Sequence, residues 1–309
     1  MTLSTTFVQA RRRLAHLAAA CLGVVAMGAA GPAAWAQTPT TAPSPAATPP
    51  AAPANTFTIG VLPNVSARLI LSSYQPMREY FERELKQRVE IATAPDFRSF
   101  AEQTLKGEYQ MVVIAPNLGR VAQLDAQWDP LAIYEPRIPG VAVSLASNAE
   151  NSPAQLKGKA LALANPQSLV ALVGLQWLRS QGLQAGTDFN TVVAANDDSL
   201  GAMLRSGETP WAIMSMGEFR AKPEALRQSL RIVHEFARLP GFYVMGNPKL
   251  PTPTRQRLRS LMLQFPSTDD GKRFFGLSGF ASIREITDAD LKFVDPFNDI
   301  TRRALNLRP

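Results

Sequence analysis

The sequence predicts an α/β protein of two lobes, each a mainly parallel sheet flanked by helices, with a ligand cleft between the lobes. Short apolar segments alternate with amphipathic helical segments along residues 56–309. Such alternation favours parallel strands joined by right-handed helical crossovers. Two longer extended segments, at residues 140–147 and 230–245, flank the middle of the chain and would carry it from one lobe to the other and back.

The predicted lobes are discontinuous in sequence. Lobe 1 comprises residues 56–146 and 238–309, and lobe 2 comprises residues 147–237. A folded part of about 250 residues is long enough for two domains with their own cores. A chain that leaves one lobe, builds a second and returns would form a hinged cleft.

The elements of lobe 1 follow from hydrophobic patterning and from helix-capping residues. Strands are predicted at residues 57–62, 89–93 and 110–115. Helices are predicted at residues 78–86, 97–106 and 118–124, the first of them preceded by a helical stretch that breaks at Gln75-Pro76. Asp96 is placed to cap the helix that starts at residue 97.

Lobe 2 repeats the same unit of a strand followed by a helix. Strands are predicted at residues 160–164, 191–194 and 211–214. The first two lead into helices at residues 168–181 and 200–205, and the third leads into another helix.

The N-terminus has the three parts of a secretory signal peptide. Three arginines at residues 11–13 precede an Ala/Leu/Val-rich stretch at residues 14–30, and Ala34-Trp35-Ala36 supplies the small residues that signal peptidase reads. We therefore expect residues 1–36 to be removed before Gln37 and the protein to be periplasmic. A retained membrane anchor and a lipoprotein signal at Cys21 are the alternatives, and Sec and twin-arginine export both stay open.

Removal of that segment also removes reactive side chains. Cys21 is the single cysteine, and His16 is one of two histidines, so His234 alone would remain. This excludes a cysteine nucleophile, a disulfide and a metal site built on Cys or clustered His. Residues 37–55 are almost only Pro, Ala and Thr and are predicted to form a disordered linker. No cofactor and no metal are expected.

Composition and motifs favour binding over catalysis. The sequence contains no G-x-S-x-G, H-E-x-x-H, P-loop or Rossmann glycine motif. A hydrolase that uses only carboxylates, Asp197 or Asp198 with Glu218, is the enzyme alternative. The formal net charge is +7, but Lys and Arg are scattered among Asp and Glu, so no nucleic-acid partner is expected.

Candidate ligand-binding residues lie in the loops that follow the predicted strands. Ligands of parallel α/β sheets bind beyond the carboxyl ends of the strands, and the free N–H groups of helix starts attract anions. The candidates are hydroxyl and amide residues of five such loops: Asn64 and Ser66 in the first, Asn117 in the second, Gln167 and Ser168 in the third, Asn196 in the fourth and Ser215 in the fifth. Arg137, just before the first extended segment, could clamp a carboxylate or phosphate. Ordinary helix capping is the alternative role for each loop residue.

A series of short segments carries a family resemblance through its order and spacing. The segments are IGVLPN (59–64), YQPM (74–77), TAPDF (93–97), GEY (107–109) before VVIAPN, LKGK (156–159) before ALALANPQS, and LRSGE (204–208) before WAIMS. Together they resemble the phosphate/phosphite/phosphonate-type substrate-binding proteins of ABC importers, which have the type II periplasmic-binding-protein fold. The resemblance covers nearly all of residues 56–305.

The resemblance implies a non-enzymatic, monomeric receptor that captures a small anionic or polar ligand and docks on an ABC permease in the inner membrane. A phosphonate- or phosphate-like oxyanion is the expected ligand. Phosphonate binders of the family carry Asp-Pro and a cluster of Ser and Thr hydroxyls, where this chain has Asn165-Pro166-Gln167-Ser168-Leu169-Val170, with one hydroxyl. A periplasmic sensor or adaptor, which presents its bound state to a membrane kinase or chemoreceptor, is the alternative function.

Overall fold

A computed structural model describes residues 56–149, 151–194, 197–207 and 209–307 of the chain. The predicted signal peptide and linker, residues 1–36 and 37–55, lie outside the described residues. No helix within the described part of the chain is long and apolar enough to cross a membrane.

The first of two sheets has six strands. These are β1 (Phe57–Val61), β2 (Val89–Ala92), β3 (Met111–Ile114), β4 (Asp129–Glu135), β10 (Tyr243–Gly246) and β11 (Ser282–Arg284), arranged in the order β11-β4-β10-β3-β1-β2. The helices of the same stretches of chain are α1 (Ala67–Ser73), α2 (Gln75–Leu85), α3 (Phe97–Lys106), α4 (Pro116–Ala126), α9 (Thr252–Gln264), α10 (Asp269–Ser278), α11 (Asp288–Phe293) and α12 (Asn298–Ala304). We call this sheet and its helices the first lobe.

The second sheet has five strands and forms the second lobe. These are β5 (Ile138–Leu145), β6 (Ala160–Leu163), β7 (Asn190–Val193), β8 (Trp211–Ser215) and β9 (Leu230–Leu239), in the order β7-β6-β8-β5-β9. Its helices are α5 (Leu169–Ser180), α6 (Asp197–Ser206), α7 (Met216–Arg220) and α8 (Glu224–Ser229).

Each sheet combines a parallel group of strands with antiparallel neighbours. Strand β1 pairs in parallel with β2 and β3, and β6 pairs in parallel with β7 and β8. Strands β10, β11, β5 and β9 pair antiparallel. The parallel strands are those that alternate with helices, as the sequence predicts. The strands next to the segments that join the two lobes are antiparallel to their neighbours. The predicted α/β class, with two helix-flanked sheets, is confirmed.

The chain passes between the lobes through two short segments, which we call the crossings. Residues 136–137 join β4 to β5, and residues 240–242 join β9 to β10. By sheet membership, therefore, the second lobe begins at Ile138, whereas the sequence placed residues up to 146 in lobe 1. Most of the segments at residues 140–147 and 230–245 are strands of the second sheet. An extended apolar sequence suits a strand and a crossing equally, so pattern alone does not separate them.

The second crossing packs closely against the end of β4. The N–H of Tyr134 donates a hydrogen bond to the carbonyl of Phe242 at 3.0 Å. A Cβ atom on Gly241 would lie 2.1 Å from the carbonyl oxygen of Tyr134, a distance at which atoms overlap. Glycine at position 241 is therefore required by this close approach of two backbones.

Helix starts position the loops that face the space between the lobes. The Asp96 carboxylate accepts a hydrogen bond from the N–H of Ser99 at 2.7 Å, so the predicted cap of α3 is confirmed. Helix α5 is apolar and buried throughout its first turn, from Leu169 to Leu172. A helix start without an exposed face must be covered by neighbouring elements, and here both lobes cover it.

Candidate functional site

A small cavity of about 60 Å³ lies where loops from both lobes meet. The contributions from strand ends are Leu62 and Asn64 after β1, Ala115 and Pro116 after β3, Ser168 after β6, and Ser215 at the end of β8. The crossings and the strand ends beside them complete the wall with Ile138, Leu239, Pro240 and Phe242. Four of the five loops singled out in the sequence therefore meet at one cavity. Asn196, in the fifth, lies outside the described residues, as do the side chains of Asp197 and Asp198.

The wall of the cavity is mainly apolar. Leu62 and Ala115 of the first lobe belong to the same cluster of buried side chains as Leu169 and Val170 of the second. The lobes are therefore in direct apolar contact around the cavity, which explains its small volume. Burial of apolar surface between the lobes favours this closed arrangement.

The loop between β6 and α5 is held by a local network of hydrogen bonds. The Asn165 side chain accepts from the N–H of Gln167 at 2.8 Å, an Asx turn that follows from Asn-Pro in the sequence. The Ser168 hydroxyl accepts from the N–H of Ala171 at 3.2 Å and donates to the carbonyl of Asn165 at 2.8 Å. Ser168 lines the cavity, but its hydroxyl already caps α5.

The start of α5 leaves two backbone donors without a partner. Leu169 and Val170 are its first two residues and line the cavity. The first N–H groups of a helix have no acceptor within the helix, and these two donate to no other described residue. These N–H groups have the partial positive charge of the helix N-terminus, and the wall around them is mainly apolar.

Ser215 and Glu218 form a reciprocal cap at the start of α7. The Ser215 hydroxyl accepts from the N–H of Glu218 at 3.0 Å, and Glu218 Oε2 accepts from the N–H of Ser215 at 2.6 Å. The S-x-x-E spacing of a capping box produces this pair. Both residues line the cavity, so the cap places a carboxylate at the site.

Asn64 and Ser66 lie in the same loop but differ in position. Asn64 lines the cavity, and its side-chain amide makes no hydrogen bond to any described residue. Ser66 is exposed and caps α1, because its hydroxyl accepts from the N–H of Leu69 at 3.4 Å. Ser66 is not part of the cavity wall.

Two further candidates have side chains that make contacts away from the cavity wall. Asn117 is fully buried within the first lobe, where its Nδ2 donates to Thr301 Oγ1 at 3.0 Å. Gln167 belongs to the second lobe, and its Nε2 donates to the carbonyl of Ala304 at 3.0 Å. This bond links the start of α5 to the end of α12, so Gln167 contacts the first lobe directly.

Arg137 is at the first crossing, outside the cavity wall. Its Nη1 donates to the carbonyl of Arg238 at 3.2 Å, and its Nη2 lies 3.9 Å from Asp290 Oδ1. The guanidinium also stacks 5.6 Å from the centre of the Phe293 ring. Arg137 thus connects the first crossing with the end of β9 and with α11.

Comparison with a family model tests the resemblance found in the sequence. Residues 59–291 match the model of the ABC transporter, phosphonate, periplasmic substrate-binding protein family. The chain belongs to this family. Its members are periplasmic substrate-binding proteins of phosphonate ABC transporters, so the family predicted from the sequence is confirmed. No curated protein matches the sequence.

Solved structures of low sequence identity share the fold. A phosphonate ABC transporter binding protein from Pseudomonas aeruginosa has a TM-score of 0.69 at 13% identity, over 82% of this chain and 89% of that one. PhnD from Prochlorococcus marinus in complex with methylphosphonate has a TM-score of 0.69 at 13% identity, over 82% and 99% of the two chains. A Xanthomonas citri protein bound to chloride has a TM-score of 0.66 at 18% identity, over 81% and 99%.

In this family member, Glu218 is the charged residue of the cavity wall, and no described Lys or Arg lines it. Basic residues instead line a second, open cavity of about 380 Å³, which includes Lys159 and Arg205. Lys159 immediately precedes β6 while Ser168 follows it, so this second cavity lies at the opposite end of the second sheet. Any anion in the site between the lobes must therefore be held by hydrogen-bond donors.

An ionic network braces the first lobe beside the crossings. Arg284 donates to both carboxylate oxygens of Asp290, at 2.7 and 2.9 Å, and to Glu135 at 2.7 Å. The bonds from Arg284, together with those from Thr287, hold the pKa of Asp290 well below its usual range, despite burial. The same pairing raises the pKa of Arg284. Tyr243 donates to the Asp290 carbonyl at 2.6 Å, and burial raises the pKa of its phenol.

The sequence predicted that N–H groups at helix starts would bind an anion, but it did not name those of Leu169 and Val170, and it did not predict the apolar wall. The order Ser168-Leu169-Val170 in the sequence indicates both features. A capping serine is followed there by two apolar residues, whose N–H groups have no acceptor within the helix. Glu218 was considered only as part of a hydrolase, although its S-x-x-E spacing with Ser215 indicates a cap. Among the described residues, no group of three or more His, Cys, Asp or Glu side chains could hold a metal ion.

Proposed function

We propose that this protein captures a small oxyanion in the cavity between its lobes and delivers it to an ABC permease. One observation carries the proposal: strand-end loops of both lobes meet at a cavity lined by Leu169 and Val170, whose N–H groups have no partner among the described residues. Unpartnered donors at the start of a helix bind anions without a basic side chain. The amide of Asn64 and the hydroxyl of Ser215 are further donors of the wall.

The remaining features of the proposal rest on the N-terminal sequence and on the family. The protein is exported through its N-terminal segment, which is cleaved before Gln37, and it acts as a periplasmic monomer. Ligand bound between the lobes stabilises the closed arrangement, which the permease recognises, because a ligand shifts the equilibrium towards the state it contacts better. Arg137 and Gln167 act in this closure, through contacts between the lobes and at the crossing.

A thermal-shift screen of the purified protein, expressed as the full chain, tests the proposal. Phosphate, phosphite, methylphosphonate, sulfate, small carboxylates and sugars are compared. A ligand at 100 times its dissociation constant adds about 2.7 kcal/mol to the free energy of unfolding. Stabilisation by a phosphorus oxyanion is expected. Stabilisation by none of the oxyanions would contradict the proposal and favour a sensory protein that recognises another solute.

A pair of substitutions at one position isolates the backbone donor. Leu169→Pro removes the N–H of the first residue of α5, a position where proline is favoured. Ser168 has φ −72° and ψ 148°, which is compatible with a following proline. Leu169→Ala removes the same apolar side chain but keeps the N–H. We expect Leu169→Pro to bind methylphosphonate about tenfold more weakly than Leu169→Ala. Equal affinities would contradict a role for this donor.

A further inference from the structure

Glu218 brings a carboxylate to the wall of the cavity. Glu218 lines the cavity from α7, and its Oε2 accepts the N–H of Ser215 at 2.6 Å. Its Oε1 accepts no hydrogen bond from any described residue, and no described cation lines the same wall. A carboxylate has about four acceptor positions and no donor. A ligand group against Glu218 must therefore donate a hydrogen bond.

Some hydrogen-bond donors near Glu218 already donate to other groups of the protein. Glu218 takes the N–H of Ser215, so this donor is not available to a ligand. The hydroxyl of Ser168 is committed to the carbonyl of Asn165. The free donors are the N–H groups of Leu169 and Val170, the Asn64 amide and the Ser215 hydroxyl. The wall thus offers several donors and one strong, negatively charged acceptor.

We propose that Glu218 makes the site selective for oxyanions that keep an acidic proton, such as the monoanion of an alkylphosphonate, over oxyanions that have none, such as an alkylsulfonate. This inference rests on the proposed function and names the ligand class of the same site. The P–OH group donates its hydrogen bond to Glu218, and the other oxygens accept from the free donors. The alkyl group lies against apolar residues such as Leu62, Phe97 and Leu239.

The apolar surroundings make this selection strong. A sulfonate has the same charge and nearly the same shape as a phosphonate monoanion, but its oxygens only accept hydrogen bonds. Its oxygen against Glu218 would bring two negatively charged acceptors together in a mainly apolar wall, where like charges repel more strongly than in bulk solvent. A site that contains a committed acceptor rejects an analogue without the donor.

The two ligands allow a direct test at constant ligand charge. The affinities of the full chain and of Glu218→Gln for methylphosphonate and methanesulfonate are measured by isothermal titration calorimetry at about pH 5.5. Methylphosphonate is a monoanion there, because its second ionisation lies above that of a phosphate monoester, which is near pH 6. We expect the unaltered protein to bind methanesulfonate at least about tenfold more weakly than methylphosphonate. The Glu218→Gln protein should reduce this ratio to less than about threefold, because its amide donates to a sulfonate oxygen.

Glu218→Gln is also expected to fold, since Gln serves in a capping box as Glu does. Its melting temperature is measured to verify this. Glu224→Gln on α8 is the matched control, because Glu224 accepts from Gln228 on the exposed face of its own helix and does not line the cavity. This variant should keep the full preference for methylphosphonate.

The outcomes separate this inference from the proposed function. If the unaltered protein binds both ligands within threefold, or if Glu218→Gln keeps the preference, the role of Glu218 is wrong while oxyanion capture stands. If neither ligand binds either protein, the proposed function fails and this inference fails with it. A lower ratio in Glu224→Gln would also overturn the inference, because the effect would then be one of general charge.

Discussion

The two lobes approach the cavity with the same structural unit, a strand, a short loop and a helix start, but contribute different chemistry. The first lobe presents a mainly apolar wall in which Leu62, Phe97, Ala115 and Pro116 take part, and among the described residues its one polar side chain there is Asn64. The second lobe presents the free N–H groups at the start of α5 and the Ser215–Glu218 cap. Part of the difference lies in the helix starts that follow β3 and β6. Proline at the start of α4 has no N–H, whereas leucine at the start of α5 has one.

The comparison shows why similar loops are not equivalent sites. The polar residue after Pro116 is Asn117, which turns into the first lobe and bonds to Thr301. The polar residue before α5 is Ser168, which stays at the cavity because it caps the helix. A cap keeps a polar side chain at the helix start, and a residue inside the first turn follows the buried face of the helix. The second lobe should therefore control ligand binding, and the first should control mainly stability.

The largest expected effect is on the crossings, on which both lobes depend. Gly241→Ala places a Cβ 2.1 Å from the Tyr134 carbonyl oxygen, so it should lower the free energy of unfolding by about 3 kcal/mol or more. Urea unfolding measures the loss. Gly276→Ala within α10 is the control, because its Cβ would meet no atom within 4 Å, and it should be neutral or slightly stabilising. A Gly241→Ala protein as stable as this control would contradict the close packing of the second crossing against β4.

A smaller effect is expected for the buried amide of the first lobe. Asn117→Ala removes the bond to Thr301 and leaves that hydroxyl buried, so it should cost about 2 kcal/mol of stability. The affinity of the folded protein for methylphosphonate should remain within about twofold, because Asn117 does not line the cavity. Denaturant unfolding and calorimetry measure the two quantities. An affinity loss larger than tenfold would assign Asn117 to the site and break the contrast between the lobes.

Ser168→Ala should give the reverse pattern in the second lobe. Loss of the cap of α5 should reduce stability by about 1 kcal/mol. Affinity for methylphosphonate should fall several-fold, because the cap positions the free N–H groups of the next two residues. The same two measurements apply. Unchanged affinity would show that the start of α5 does not contact the ligand.

The last effect concerns Asp290, whose carboxylate stabilises the protein at neutral pH and loses this contribution in acid. The pKa of Asp290 is lowered in the folded protein, so its contribution to stability is complete above the unfolded value of about 3.9. It is lost as the pH falls below that value towards the folded pKa. Asp290→Asn should therefore be less stable than the unaltered protein at pH 7, and the difference should narrow below about pH 4. A constant difference across this range, measured by urea unfolding, would exclude the role of the carboxylate.

Much of the fold could be predicted because its signals are local. The cap and helix at residues 96–106 and the strand at residues 89–92 need only pattern and capping residues. The crossings could not be located in this way. The extended segment at residues 230–245 contains both β9 and β10, and the break at residues 240–242 is imposed by contact with Tyr134 in a distant strand.

The candidate site was less accessible to sequence reasoning for the same reason. The fold class predicts that the loops at the strand ends meet. It does not predict which side chains face the cavity, because these are set by contacts with residues that are distant in the sequence. The side chain of Gln167 donates a hydrogen bond to Ala304, and that of Asn117 donates one to Thr301. Both acceptors belong to the C-terminal helix α12. The apolar wall arises from contact between the lobes, which no segment of the sequence encodes alone.

The structure of the complex with methylphosphonate most directly tests the claim that the second lobe binds the oxygens of the ligand and the first lobe contacts its apolar part. A crystal structure of the purified protein with this ligand should show its oxygens against the second lobe, in hydrogen bonds with the N–H groups of Leu169 and Val170. One oxygen should contact Glu218, and the methyl group should face the first lobe at Leu62 and Phe97. Oxygens bound at the start of α4, or a ligand outside this cavity, would contradict the account.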